Sequence, residues 1–116
     1  MNPLYDLEVI DSAVLSGEID DAMKLIQKKI KSLQNAENIS KNERIRRHLK
    51  VMQSISDFLT GKIDIDTVKS VLNSNFVYDV DDKEGFLKNF IYHLYYAADR
   101  YNVRFPEFNG KRCGDL

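Results

Sequence analysis

Cysteine is almost missing from this chain: Cys113 is the single one in 116 residues. One thiol cannot form an internal disulfide, so a packed core has to hold the fold, and a reducing cytosol suits such a chain. Proline occurs only at Pro3 and Pro106, near the two ends. Nothing between them is forced out of helix by a ring. No apolar run approaches the roughly 18 residues that span a bilayer. The opening "MNPLYDLEVID" lacks a basic stretch ahead of an apolar one, so no secretory signal is expected and the expected location is cytoplasmic. Glycine-rich phosphate loops are missing as well, which removes that route to nucleotide chemistry.

What is present describes one globular domain. Hydrophobic residues make up 43% and charged residues 30%, enough apolar surface for a single core over residues 1–116. The formal net charge of −1 hides an uneven layout. Residues 1–23 carry six acids and no Lys or Arg, residues 24–50 carry nine bases against Glu37 and Glu43, and the remainder is mildly acidic.

Apolar spacing predicts an all-α antiparallel bundle of about five helices, built from two helical hairpins plus a C-terminal aromatic-rich helix. Pro3 suits a first helical turn, with "YDLEVIDSAVLS" following. Asp20 is the expected cap of a second helix, on which Ala22, Met23, Ile26, Ile30 and Leu33 trace one face. "QNAENIS" reads as a polar loop, with Ser40 and Glu43 as a capping box for a third helix over about 41–60. On that helix Ile45, Leu49, Met52, Ile55 and Leu59 share a face, and Arg44, Arg47 and Lys50 point away. Asp64 or Asp66 caps a short fourth helix. Asp81 and Glu84 read as a second capping box. The last helix carries Phe86, Leu87, Phe90, Ile91, Leu94, Tyr95 and Ala98, a stripe wide enough for a central helix. "RFPEFNGKRCGDL", residues 104–116, has no helical period and reads as an irregular tail.

Two six-residue stretches match closely: "LSGEID" from Leu15 and "LTGKID" from Leu59. Each offers a helix-ending Leu, a small hydroxyl residue, a Gly stop, an Ile to bury and an Asp to cap the next helix. Two copies are too few for a solenoid, so they read as hairpin turns.

Catalytic and metal chemistry find little support. His48, His93 and Cys113 show no paired-ligand spacing. "DVDDKEG" lacks the glycine and the terminal carboxylate of a calcium loop: Glu84 and Phe90 stand in those places. His93 and Arg100 share a helical face with Tyr96 between them, but no nucleophile accompanies them. The chain is therefore expected to be no enzyme and to need no metal or cofactor.

Binding chemistry is better represented. Ten of the twelve Phe and Tyr residues lie from Phe76 onward. Tyr78, Tyr92 and Tyr96, interspersed with Asp79, Asp81, Asp82 and Glu84, compose a face suited to gripping a protein, with Asp64 and Asp66 on the preceding turn. The alternative partner is nucleic acid: the basic helix over 41–50 carries Arg44, Arg46, Arg47 and Lys50, within reach of phosphates in a regulatory or adaptor role. No helix-turn-helix signature accompanies that helix.

"FLTGKIDIDTVKSVL" resembles the entry to a helix in colicin D-type immunity proteins, and "HLYYAADRYN" is similar to their later aromatic-rich helix. The basic middle departs from a uniformly acidic inhibitor. The resemblance implies a small helical, cytosolic antidote. Such a protein covers the active-site cleft of a cognate bacterial toxin, a nuclease that often acts on tRNA. Steering by carboxylates toward a positive cleft gives that expectation a physical basis.

Overall fold

Pro3 opens the first helix, where its missing N–H costs nothing. In the computed structural model, which describes residues 3–100, five helices follow in chain order: α1 (Pro3–Leu15), α2 (Ile19–Ser40), α3 (Glu43–Leu59), α4 (Ile65–Ser74) and α5 (Lys83–Arg100). No strand occurs among the described residues, and the expected all-α bundle is what forms. The expected tail over 104–116 lies outside the described residues. No helix among the described residues is long and apolar enough to cross a membrane.

Each helix packs on its neighbour in the chain, and α5 returns to pack on α1, so the five close into a ring. Leu7, Ile10 and Val14 of α1, Ile26 and Leu33 of α2, and Leu72 of α4 are buried in the shared core with Leu94 and Tyr95 of α5. Their spacings of three and four put each set on one helical face. The most enclosed helix is α3, not α5 as the aromatic stripe suggested. Its buried positions include His48, Leu49, Val51, Met52, Ile55, Phe58 and Leu59, which wrap well past a single stripe. Flanked by α2 and α4, α3 also hides Ser56, whose hydroxyl accepts from Gln27 Nε2 at 2.8 Å.

The two matching turns stop their helices in the same way. Gly17 and Gly61 both take φ 79°, a conformation that costs glycine nothing. Around Gly17, the Glu18 N–H donates to Ala13 O at 2.9 Å and the Gly17 N–H to Val14 O at 3.1 Å. Around Gly61, Lys62 donates to Asp57 O at 2.8 Å and Gly61 to Phe58 O at 3.0 Å. Both are Schellman stops, which satisfy carbonyls that a helix end leaves open. Even the hydroxyls agree: Ser16 Oγ donates to Ser12 O and Thr60 Oγ1 to Ser56 O, each at 2.9 Å.

The restarts differ. Asp64 caps α4, its carboxylate accepting from the Thr67 N–H at 2.9 Å. Asp20 does not cap α2: that helix begins at Ile19 behind Glu18, with no side-chain cap.

Three boundaries depart from expectation. "QNAENIS" is helical to its end, and α2 stops at Lys41, whose φ of 50° and N–H bond to Glu37 O replace a glycine stop. The weak helix propensity of Asn and Ser amounts to a few tenths of a kcal/mol per residue. It is outweighed as the helix continues to Glu37, which accepts from Arg46 of α3 at 3.2 Å. Asn42, not Ser40, caps α3, accepting from Arg44 N at 2.8 Å. Glu43 turns instead to Arg46 and Arg47. Asp82, not Asp81, caps α5, accepting from the Gly85 N–H at 3.0 Å.

Candidate functional site

The face between α4 and α5 carries a groove of about 1070 Å³. Ile65, Leu87 and Ile91 form its apolar part. Asp66, Lys69, Glu84, Lys88 and Tyr92 supply its polar wall. Tyr92 stands 52% exposed and Tyr96, one turn further along α5, 42%. Their rings stack at 6.0 Å between centroids and 17° between planes. Two tyrosines held parallel at a groove's end present a rigid amphipathic surface, the kind that loses little entropy on binding.

Of the nine residues expected to contact a partner, the groove brings together Asp66, Glu84 and Tyr92, with Tyr96 stacked against the last. The other five have different placements. Asp64 spends its carboxylate on the α4 cap, where it accepts from both the N–H and the hydroxyl of Thr67. Asp82 spends its own on α5. Asp81 is exposed on the link before α5. Asp79 is exposed too, but it lines a separate depression of about 490 Å³ with Arg44, Asn42 and His48. Tyr78 is a correction: it is 6% exposed and cannot face a partner. It was expected outward as one of several tyrosines on the last helix and its entry loop, whereas the irregular link turns its ring inward. The groove is not acidic either, because Lys69 and Lys88 balance Asp66 and Glu84.

Tyr78 belongs to a buried polar row that was not expected from sequence. Its hydroxyl lies 2.8 Å from His48 Nδ1, and His48 Nε2 lies 2.8 Å from Asp6 Oδ2. Lys29 Nζ sits 3.4 Å from the other Asp6 oxygen. Residues from α1, α2, α3 and the α4–α5 link thus meet at one point. His48 is 1% exposed. Burial pushes its imidazole below the ordinary value of 6.5, against the pull of Asp6 and with a smaller push from Lys29 and Arg44. Burial, and then the Asp6 charge, raises the Tyr78 hydroxyl above its usual value, so it stays protonated. With both ring nitrogens of His48 engaged, no lone pair is left to take a proton from a substrate.

The one signal that could have found this row is positional. His48 falls on the apolar stripe of α3, three residues after Ile45 and four before Met52. Asp6 sits beside Leu7 and four residues before Ile10. A polar residue on a core-facing stripe needs a partner. A separation of 42 positions hides which one.

A second pair joins α1 to α5. His93 Nδ1 is 2.9 Å from Asp11 Oδ1, with His93 30% and Asp11 26% exposed. Tyr92 meets the His93 ring edge-on at 6.3 Å. His93 therefore does reach a carboxylate, but neither residue lines the groove. Among the described residues, no group of three or more His, Cys, Asp or Glu is placed to hold a metal ion.

The basic stretch of α3 is partly neutralised by its own acids. Arg46 reaches Glu37 at 3.2 Å and Glu43 at 3.0 Å, and Arg47 reaches Glu43 at 3.1 Å. No protein-family model, curated protein or solved structure matches the chain.

Proposed function

We propose that this chain is an immunity-type inhibitor that binds a cognate bacterial toxin, a nuclease, and blocks its active site. The observation that carries the reading is the α4–α5 groove. It combines an apolar floor with the stacked Tyr92–Tyr96 pair, and the free ends of Asp79, Asp81 and Glu84 follow along the link and the start of α5. A nuclease cleft is positive because it must hold phosphates. Exposed carboxylates steer toward it, and aromatic side chains supply the contact area that makes such encounters last. An inhibitor of this kind acts in the cytosol, where the toxin would do its damage. Within the described residues, the resemblance of "FLTGKIDIDTVKSVL" and "HLYYAADRYN" to colicin D-type immunity proteins falls on the end of α3, on α4 with its entry turn and on the second half of α5.

The test is protection. The chain is co-produced with the nuclease toxin encoded next to it, and growth and complex formation are measured. Tyr92→Ala is expected to weaken binding by about 2 kcal/mol, roughly thirtyfold, as a central aromatic anchor does. No protection by the unaltered chain ends the inhibitor reading. Full affinity in a Tyr92→Ala, Tyr96→Ala double variant moves the interface to another face.

Nucleic-acid binding through α3 is the weaker alternative, since Arg46 and Arg47 already hold carboxylates. It predicts a gel shift at low salt that disappears when Arg44 and Lys50 are replaced by Gln.

A further inference from the structure

The link between α4 and α5 packs on the core through Phe76, Val77 and Tyr78. Among the described residues, no backbone–backbone hydrogen bond joins residues 76–81 to the rest of the chain. Apolar contacts help. Phe76 meets Tyr78 edge-on at 5.1 Å and Phe86 at 6.0 Å, and Lys83 Nζ lies 5.0 Å over the Phe76 ring. At the middle of the segment the buried Tyr78 ring adds a hydrogen bond from its hydroxyl to His48 of α3.

Donor and acceptor roles along this row have one consistent assignment. A carboxylate only accepts, so His48 Nε2 carries the ring proton and donates to Asp6 Oδ2. Nδ1 is then a bare lone pair, and the Tyr78 O–H donates into it. A second proton on His48 must go to Nδ1, the atom that Tyr78 uses. The Asp6 end is indifferent to this, because Nε2–H donates there in either state. The Tyr78 end is not: the phenol oxygen would have to turn from donor to acceptor, and among the described residues no second partner lies within hydrogen-bond reach of its proton.

We propose that the Tyr78–His48 contact is a proton-operated latch. Neutral His48 holds residues 76–81 against the core, and protonated His48 releases Tyr78 and loosens that segment while the five helices stay packed. The charged groups around the latch come from every element that meets it. Asp6 on α1 favours the second proton, Lys29 on α2 and Arg44 on α3 oppose it, and Asp79 on the link shares a depression with His48. Asp79 and Asp81 ride on the latched segment, so the latch governs where two exposed carboxylates point. This inference does not depend on the inhibitor reading, and no partner is needed to test it.

The experiment follows backbone 15N order parameters of residues 76–81 in the full chain while pH is lowered from about 7.5. The His48 ring nitrogens report its protonation directly. In the unaltered chain, order parameters should fall from about 0.85 to below about 0.6 as His48 protonates, with α3 and α5 unchanged. His48→Gln keeps an acceptor for Tyr78 and a donor for Asp6 but cannot titrate, so its segment should stay ordered at both ends of the range. Tyr78→Phe lacks the hydroxyl and should be loose throughout, which keeps the proposal testable if His48→Gln does not fold. His93→Gln should behave as the unaltered chain does. The latch is overturned if the segment stays ordered after His48 protonates. A loss of order that persists in His48→Gln, that vanishes in His93→Gln, or that spreads through α3 at the same pH also overturns it, as does unfolding before His48 takes its proton.

Discussion

Two histidines tie α1 to later helices through an aspartate each, and they differ in what surrounds them. His48 meets Asp6 at 2.8 Å and His93 meets Asp11 at 2.9 Å, so the contacts are nearly equal in length. His48 is 1% exposed and also receives the Tyr78 hydroxyl; His93 is 30% exposed and rests beside Tyr92 at the surface. Water can replace Asp11 for His93. It reaches the His48 ring far less. The energy of such a pair is therefore set less by its geometry than by whether solvent stands ready as a substitute.

Breaking the buried pair should have the largest effect. His48→Ala leaves Asp6 and Tyr78 without their partner and opens a cavity, and should cost about 3–5 kcal/mol in chemical denaturation. A loss as small as that expected at the surface pair would erase the distinction between the two. The same site should carry a pH dependence. His48 binds its proton less readily folded than unfolded, so its contribution is complete above the ordinary pKa of 6.5 and is lost as pH falls below it. Denaturant midpoints across that range should drop toward acid in the unaltered chain and drop less in His48→Gln.

Tyr78→Phe removes one donor and leaves Nδ1 unsatisfied, and should cost about 1–2 kcal/mol. It sharpens the comparison by isolating the hydrogen bond that His93 lacks. Asp11→Ala should cost less than about 1 kcal/mol, with a smaller loss still in high salt. A cost for Asp11→Ala equal to that of His48→Ala would mean that the ring's closure between α1 and α5, rather than desolvation, governs both sites.

Local features were legible where one residue type has one physical use. Gly17 and Gly61 were readable as stops because only glycine takes that backbone angle without penalty, and the hydroxyls before them repeat the same back-bond. A cap at Asp64 or Asp66 was readable, and the structure gives it to Asp64. Asp20, in the matching place of the first copy, was not a cap. The helix there already begins at Ile19, ahead of it. Caps failed again at Ser40 and Asp81, where a competing Asn42 and Asp82 lay within two residues. Sequence spacing cannot rank neighbours that differ only in how the chain enters the helix.

The candidate groove was legible in part. Tyr92 and Tyr96 sit four apart on a helix whose other face is apolar, which exposes them by periodicity. Glu84 was placed at the start of the last helix, whereas Asp66, read on the turn before the fourth helix, lies in its first turn. Lys69 and Lys88 were overlooked as wall residues, because a groove between two helices takes its charge from both and neither helix alone displays the balance. Tyr78 was misplaced for a related reason: outside a helix no period says which way a side chain turns.

By itself the sequence determined five helices, the two glycine stops, and which faces were apolar, because those follow from backbone preferences and the 3.6-residue repeat over short distances. The tertiary structure alone decided that α3 is the enclosed helix and that α5 closes on α1. It alone also brought Asp6, His48 and Tyr78 into one buried row. Those outcomes depend on which distant polar groups can satisfy one another once water is excluded, and no local pattern encodes that.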